Sequence, residues 1–252
     1  MKKRLVVANW KMYVDTPLAA KAWAKTLRTK MRSLSFVEVA IAPSFVLLPH
    51  VVDALNRSTI KVGAQAVSSN HISAHTGEVS ARMLKNVGAS FVIVGHSERR
   101  ALGETNEMVH AQILEADAAK LGIVLCVGEK ERDAGGEHFA IIHEQLTSAL
   151  AGLSPKSISK LVVAYEPVWA IGKTAADAMK PQDIQEVIIF IKKTLTGLFE
   201  PSAVKKITLL YGGSVEEANA AAILKEGIVG GFLVGHASAN IENFLPILKA
   251  CK

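Results

Sequence analysis

One repeat constrains the fold more than any other feature of the chain. A short apolar run that closes on glycine or a polar residue recurs eight times along the 252 residues. The runs are Leu5–Ala8, Val37–Ala42, Ile60–Gln65, Phe91–His96, Ile123–Gly128, Leu161–Glu166, Ile207–Gly212 and Gly231–Gly235. Rich in Val and Ile, they are continuous rather than alternating, the pattern of strands buried on both faces. Helical spacing fills the gaps: over Asn106–Leu121, with Gly122 as its expected C-terminal cap, and over Asp183–Leu195, with Pro181 near its start. Strand–helix alternation implies parallel strands joined by crossovers. The sequence therefore predicts an α/β fold in which eight parallel strands close into a (βα)8 barrel inside a ring of helices. No low-complexity linker divides the chain, so residues 1–252 are expected to form a single domain. An open doubly wound sheet would carry G-x-G-x-x-G after its first strand, where this chain has Ala8-Asn-Trp-Lys11.

The formal charge of +6 favours anionic partners. Lys and Arg are scattered without an aromatic–basic stripe, which points to a small anionic substrate and away from nucleic acid. The run Lys2-Lys3-Arg4 reads as a solvated end. Two cysteines, Cys126 and Cys251, are too few for a disulfide framework or a metal site, and Cys126 sits in an apolar run as a reduced core thiol would. His71 and His75 lie four apart with no third ligand in view, so no metal is expected. Gly172-Lys-Thr174 ends like a phosphate-binding P-loop, but Pro167 stands where its first glycine must be. Asn56-Arg-Ser58 is a glycosylation sequon without a secretory context. No signal-peptide core and no apolar stretch of membrane-spanning length is present, so the expectation is a cytoplasmic protein without membrane association.

In a barrel of this type the active site gathers at the C-terminal strand ends, and the residues there carry the functional information. Glu166 ends an apolar strand, where a carboxylate is costly without a partner or a task. It is either a salt-bridged structural residue or an acid–base group. Pro167 holds it extended and opens the loop 167–172, in which Trp169 and Ile171 are exposed unless they fold over something; this reads as a lid. His96 is either a hydrogen-bonded core histidine or a neutral imidazole facing a short helical turn, Ser97–Arg100, that Ser97 is expected to cap. Lys11, beside Asn9, is a surface charge or a fixed cation at the barrel mouth. Gly212-Gly-Ser214 suits a phosphate bound by backbone N–H groups at a helix start; it is also compatible with a capping box, Ser214-x-x-Glu217.

Ala8-Asn-Trp-Lys-Met12, Gly95-His-Ser-Glu-Arg-Arg100, Ala164-Tyr-Glu-Pro-Val-Trp-Ala-Ile-Gly172, Tyr211-Gly-Gly-Ser-Val215 and Gly231-Phe-Leu-Val-Gly235 together resemble the triosephosphate isomerase family, in order and spacing, over nearly the whole chain. The resemblance implies a TIM barrel that interconverts dihydroxyacetone phosphate and D-glyceraldehyde 3-phosphate through an enediolate, with no cofactor and no metal. It implies Glu166 as the base, His96 as the neutral electrophile, Lys11 and Asn9 as stabilisers of developing charge, and Glu98 as the residue holding Lys11. It assigns phosphate to the backbone N–H groups of Gly172, Ser214, Gly235 and His236. It further implies a homodimer through loop 71–80, with Thr76 near the partner's mouth; read alone, this segment is also an ordinary polar loop. The chain departs from the family pattern at three places. Gly172 is followed directly by Lys173-Thr-Ala175, with extra residues before Pro181; His236 replaces a glycine, whose backbone angle is expected to strain it; and Tyr13 replaces an asparagine. Two rival readings are another phosphate-binding barrel acting on sugar phosphates and a non-catalytic barrel. Neither accounts for the joint presence of His96 and Glu166.

Overall fold

A computed structural model describes residues 3–71, 74–133, 135–158, 160–173 and 178–252. Eight parallel strands follow one another round a closed barrel in chain order. They are β1 (Arg4–Asn9), β2 (Val37–Ala42), β3 (Lys61–Ala64), β4 (Phe91–Val94), β5 (Gly122–Val127), β6 (Leu161–Tyr165), β7 (Thr208–Tyr211) and β8 (Gly231–Val234). The ring closes where β1 pairs on one side with β2, Val6 opposite Val39, and on the other with β8, Val6 opposite Phe232. Around it run α1 (Pro17–Lys30), α2 (Leu48–Ala54), α3 (Ala81–Asn86), α4 (Ser97–Ala101), α5 (Asn106–Ala118) and α6 (Glu137–Leu150). The circuit continues through α7 (Pro155–Ile158), α8 (Pro181–Leu198), α9 (Pro201–Val204), α10 (Glu217–Glu226) and α11 (Ile241–Lys249). Among the described residues no helix is long and apolar enough to cross a membrane.

The continuous apolar runs follow from this closure. Val7, Phe91, Ile93, Val124, Cys126, Leu210 and Leu233 pack together inside the barrel. Their neighbours Val6, Ala8, Val92 and Val94 point outward onto helix residues such as Trp23, Leu27, Ile113 and Ile188. Apart from the exposed Glu38 and Lys61 at the N-terminal ends of β2 and β3, both faces of the strands are largely buried, which leaves little room for polar alternation. Cys126 is fully buried, and that burial, with the nearby Glu166 charge, pushes its thiol well above the ordinary range. It is an inert core thiol.

The strands stop short of the apolar runs. Gln65, His96, Glu166, Gly212 and Gly235 lie just past the last paired residue, because these groups turn out of the ladder into the loops. The predicted cap at Gly122 is corrected: α5 ends at Ala118, Lys120 takes the left-handed turn at φ 58°, and Gly122 opens β5. The turn must precede Leu121, whose side chain enters the core, and the exposed Lys120 accommodates it.

Candidate active site

Parallel closure brings every C-terminal strand end to one mouth. A cavity of about 540 Å³ there is lined by Asn9, Lys11, His96, Glu98, Glu166, Gly172, Ser214, Gly235 and His236. Every residue that the sequence assigns to catalysis or phosphate thus meets in one place. Thr76 does not line this cavity; it lies exposed in the loop after β3, whose residues 72 and 73 fall outside the described set.

Glu166 is 2% exposed. Its backbone N–H donates to Val127 O (2.8 Å), which keeps it in register with β5 as it leaves β6. Two glycines make room for it: a Cβ on Gly128 would overlap its backbone, and one on Gly212 would press on its side chain. The carboxylate Oε2 accepts from the Ser97 backbone N–H (3.0 Å), and Oε1 lies 3.1 Å from His96 Nε2. The N-terminus of α4 therefore holds the carboxylate rather than only facing the imidazole.

His96, 6% exposed, is itself the cap of α4, which corrects the expectation that Ser97 caps it. Its Nδ1 accepts from the Glu98 N–H at 3.2 Å. A ring nitrogen that accepts a backbone N–H carries no proton, so the imidazole's proton sits on Nε2, facing the mouth. The cap falls on His96 because its backbone is still extended as it leaves β4, and the imidazole reaches the second N–H of the turn.

Lys11 adopts φ 48°, a left-handed conformation unusual for a side chain with a Cβ. Asn9 Oδ1 accepts its N–H (3.2 Å) and Gln65 Nε2 donates to its carbonyl (2.9 Å). Gln65 also donates to Ala42 O (2.9 Å), which ties the turn to the end of β2. The ammonium so aimed donates to Glu98 Oε1 at 2.6 Å. Gly235 faces this ammonium, where a Cβ would crowd the lysine's last methylene.

The phosphate side is built differently from the sequence expectation. The N–H of Gly212 is used on Tyr165 O (2.8 Å). The capping box belongs to Glu216 and Asn219, not to Ser214 and Glu217, because α10 starts only at Glu217. That later start frees the Ser214 hydroxyl, which donates to Ala170 O (3.0 Å) and accepts from Lys173 N–H (3.0 Å). Gly172 takes φ 73° in the same loop. The strain expected at His236 is absent. Its φ is not positive, it opens a 3-10 turn (His236–Ala239), and its exposed ring packs edge-to-face on Tyr13 at 5.0 Å.

The loop expected to act as a lid begins as a 3-10 turn, Val168–Ala170, and of the departure at Lys173-Thr-Ala175 residues 174 and 175 lie outside the described residues. Trp169 is half-buried because its indole N–H donates to Glu129 Oε1 (2.8 Å). The Tyr165 hydroxyl donates to the same oxygen (2.9 Å), and Val168 N–H donates to the Glu129 carbonyl (2.9 Å). Burial and the Glu129 charge push the Tyr165 phenol far up, so it remains a donor. Glu129, fully buried, thus anchors the start of the lid. No motif in the sequence singles out Glu129 or Gln65, each of which is a polar residue following an apolar run. His71, rejected as a metal ligand, pairs with Glu115 at 3.1 Å.

The family model described as triosephosphate isomerase matches residues 4–251. The triosephosphate isomerase of Carboxydothermus hydrogenoformans is 41% identical over 99% of both chains. That of Endomicrobium trichonymphae is 40% identical over the whole of both, and that of Thermus thermophilus is 39% identical over 99% of both.

Proposed function

The chain belongs to the triosephosphate isomerase family and is an isomerase interconverting dihydroxyacetone phosphate and D-glyceraldehyde 3-phosphate, and from that premise we propose which of its residues carry the reaction. Glu166 is the base. It removes the proton from the hydroxymethyl carbon of dihydroxyacetone phosphate and returns it to the neighbouring carbon, so one carboxylate serves both steps. His96 donates from Nε2 to the carbonyl oxygen as charge develops there, and Lys11 with Asn9 stabilises the enediolate. Glu98 keeps the Lys11 ammonium at the mouth. The backbone N–H groups of Gly172, Ser214, Gly235 and His236 hold the phosphate, and the loop after Glu166 excludes water from the intermediate.

The observation that carries this reading is the opposition of two groups in one cavity. A buried carboxylate lies 3.1 Å from a ring nitrogen whose other nitrogen is occupied by the Glu98 N–H. The test is isomerisation of dihydroxyacetone phosphate in D2O. The wild type is expected to place one deuterium on the carbon that becomes C2 of the aldose, and Glu166→Gln to abolish both incorporation and turnover. Incorporation by this variant at the wild-type rate would remove Glu166 as the base.

A homodimer is part of the same proposal. Met12, one residue from Lys11, is 90% exposed, and residues 74–78 are exposed. An apolar side chain so placed fits burial under the partner's loop 71–80, with Thr76 approaching the partner's mouth. The substrate is a soluble metabolite, and the cytoplasm is the compartment we assign.

A further inference from the structure

A second concavity, of about 550 Å³, opens at the opposite end of the barrel, where Arg4, Thr208 and Gly230 stand at the N-terminal ends of β1, β7 and β8. Its floor is apolar: Ile207, Leu209 and Val229 are buried and Val204 is half-buried. Its walls carry Lys3, Arg4, Lys192 and Lys205, and no lining residue is acidic. Among the described residues none of these four cations is paired with a carboxylate. Like charges gathered round one hollow repel each other unless an anion lies between them.

The arrangement is held in place. Arg4, half-buried, spends Nη1 on Val229 O at 2.5 Å, which leaves the rest of its planar fork available. The carbonyl it grips follows Ile228, which adopts φ 49°, a conformation a β-branched residue rarely takes. Leu5 N–H donates to Gly230 O (3.0 Å) and Gly230 N–H to Leu209 O, so the strained turn is tied to the strands on either side. Backbone strain kept by its surroundings marks places where geometry serves a ligand or a switch.

We infer that this hollow binds a small organic molecule carrying two or more phosphates. The four cations match about four negative charges, and the apolar floor accepts an organic body, in a volume ordinary for a small-molecule site. Convergence of the cations on a concavity, rather than their spread over a flat face, favours a small ligand over a polyanionic polymer. This site is separate from the catalytic mouth and goes beyond the isomerase reading.

The test uses adenosine diphosphate as probe, titrated calorimetrically into the full-length protein with the mouth saturated by phosphoglycolate, a two-carbon phosphate whose carboxylate mimics the enediolate. Saturable one-site binding is expected. The double variant Lys192→Ala/Lys205→Ala should bind the probe at least tenfold more weakly, with kcat/KM for the triose phosphates unchanged. Both lysines are exposed and, among the described residues, without a carboxylate partner, so the fold should tolerate their loss; Lys192→Gln/Lys205→Gln, which retains more of the stems, repeats the measurement should the first variant misfold. Absence of saturable binding with the mouth blocked, or equal affinity in the double variants, would overturn the assignment.

Discussion

Both oxygens of Glu166 are engaged in this structure, Oε2 by the Ser97 N–H at 3.0 Å and Oε1 by His96 Nε2 at 3.1 Å, so its proposed role as the base depends on where the side chain's length places the carboxylate. Its reach is then the critical quantity. Glu166→Asp withdraws the carboxylate by a methylene, and a misplacement of about 1 Å costs roughly 100-fold in rate. Steady-state kinetics should show kcat falling by about that factor with KM little changed; near-normal kcat would contradict the assignment. The imidazole gives an independent reading. Nitrogen-15 spectra of the folded protein at neutral pH should show His96 with Nδ1 bare and Nε2 protonated, as its bond from Glu98 requires, and a doubly protonated ring would refute the electrophile role. At His236 only the backbone N–H is proposed to matter, so His236→Gly should leave phosphoglycolate affinity and its pH profile nearly unchanged; a loss confined to acid pH would implicate the ring instead. The identities of these residues were legible because each is a polar group ending an apolar strand. Their bonding was not. That His96 caps its own helix, and that Gln65 braces the backbone of Lys11, depends on which strand ends meet across the mouth, and local sequence holds no record of that.

The strands were readable because two dry faces leave a run of apolar residues that a helix of the same length would not need. Their ends were less so, since pairing stops where side chains turn toward the mouth, and the helix starts shifted for the same reason at Ser214 and Glu216. The start of α6, where Gly136 is the cap residue and Asp133 reaches back to the first turn, shows what such a position controls. Asp133 accepts the backbone N–H groups of Glu137 and His138 (2.9 Å each), which hold its carboxyl well below the usual carboxylate range. The folded protein thus binds fewer protons here than the unfolded chain, so the contribution to stability is complete above the unfolded value of about 3.9 and is lost as pH falls below it. Asp133→Ala should lower Tm by a few degrees at neutral pH, with the gap to wild type narrowing in acid. A gap that widened in acid would reverse that assignment. The tether of the lid makes a kinetic counterpart. Ser214→Ala removes both bonds to Ala170 and Lys173, and kcat/KM for the triose phosphates should fall while Tm hardly moves.

For the assembled protein, the proposed dimer is tested by sedimentation. Wild type should sediment as a dimer, and Met12→Asp should shift it toward monomer and reduce activity, because the turn it disrupts is the one that aims Lys11. A wild-type monomer with full activity would remove the partner from the account. The ring of strands has a further bearing on how such a chain is made. β1 is the first strand to leave the ribosome, yet one of its two neighbours, β8, is the last. Until Gly231–Val234 emerges, the growing sheet carries two open edges, at β1 and at the newest strand, and exposed strand edges recruit other chains. Synthesis therefore passes through a period in which nearly the whole apolar interior exists without its final wall. A stop codon shortly before Gly231 should yield aggregate rather than a slightly smaller enzyme, and the nascent chain should depend on chaperones until its last twenty or so residues are free.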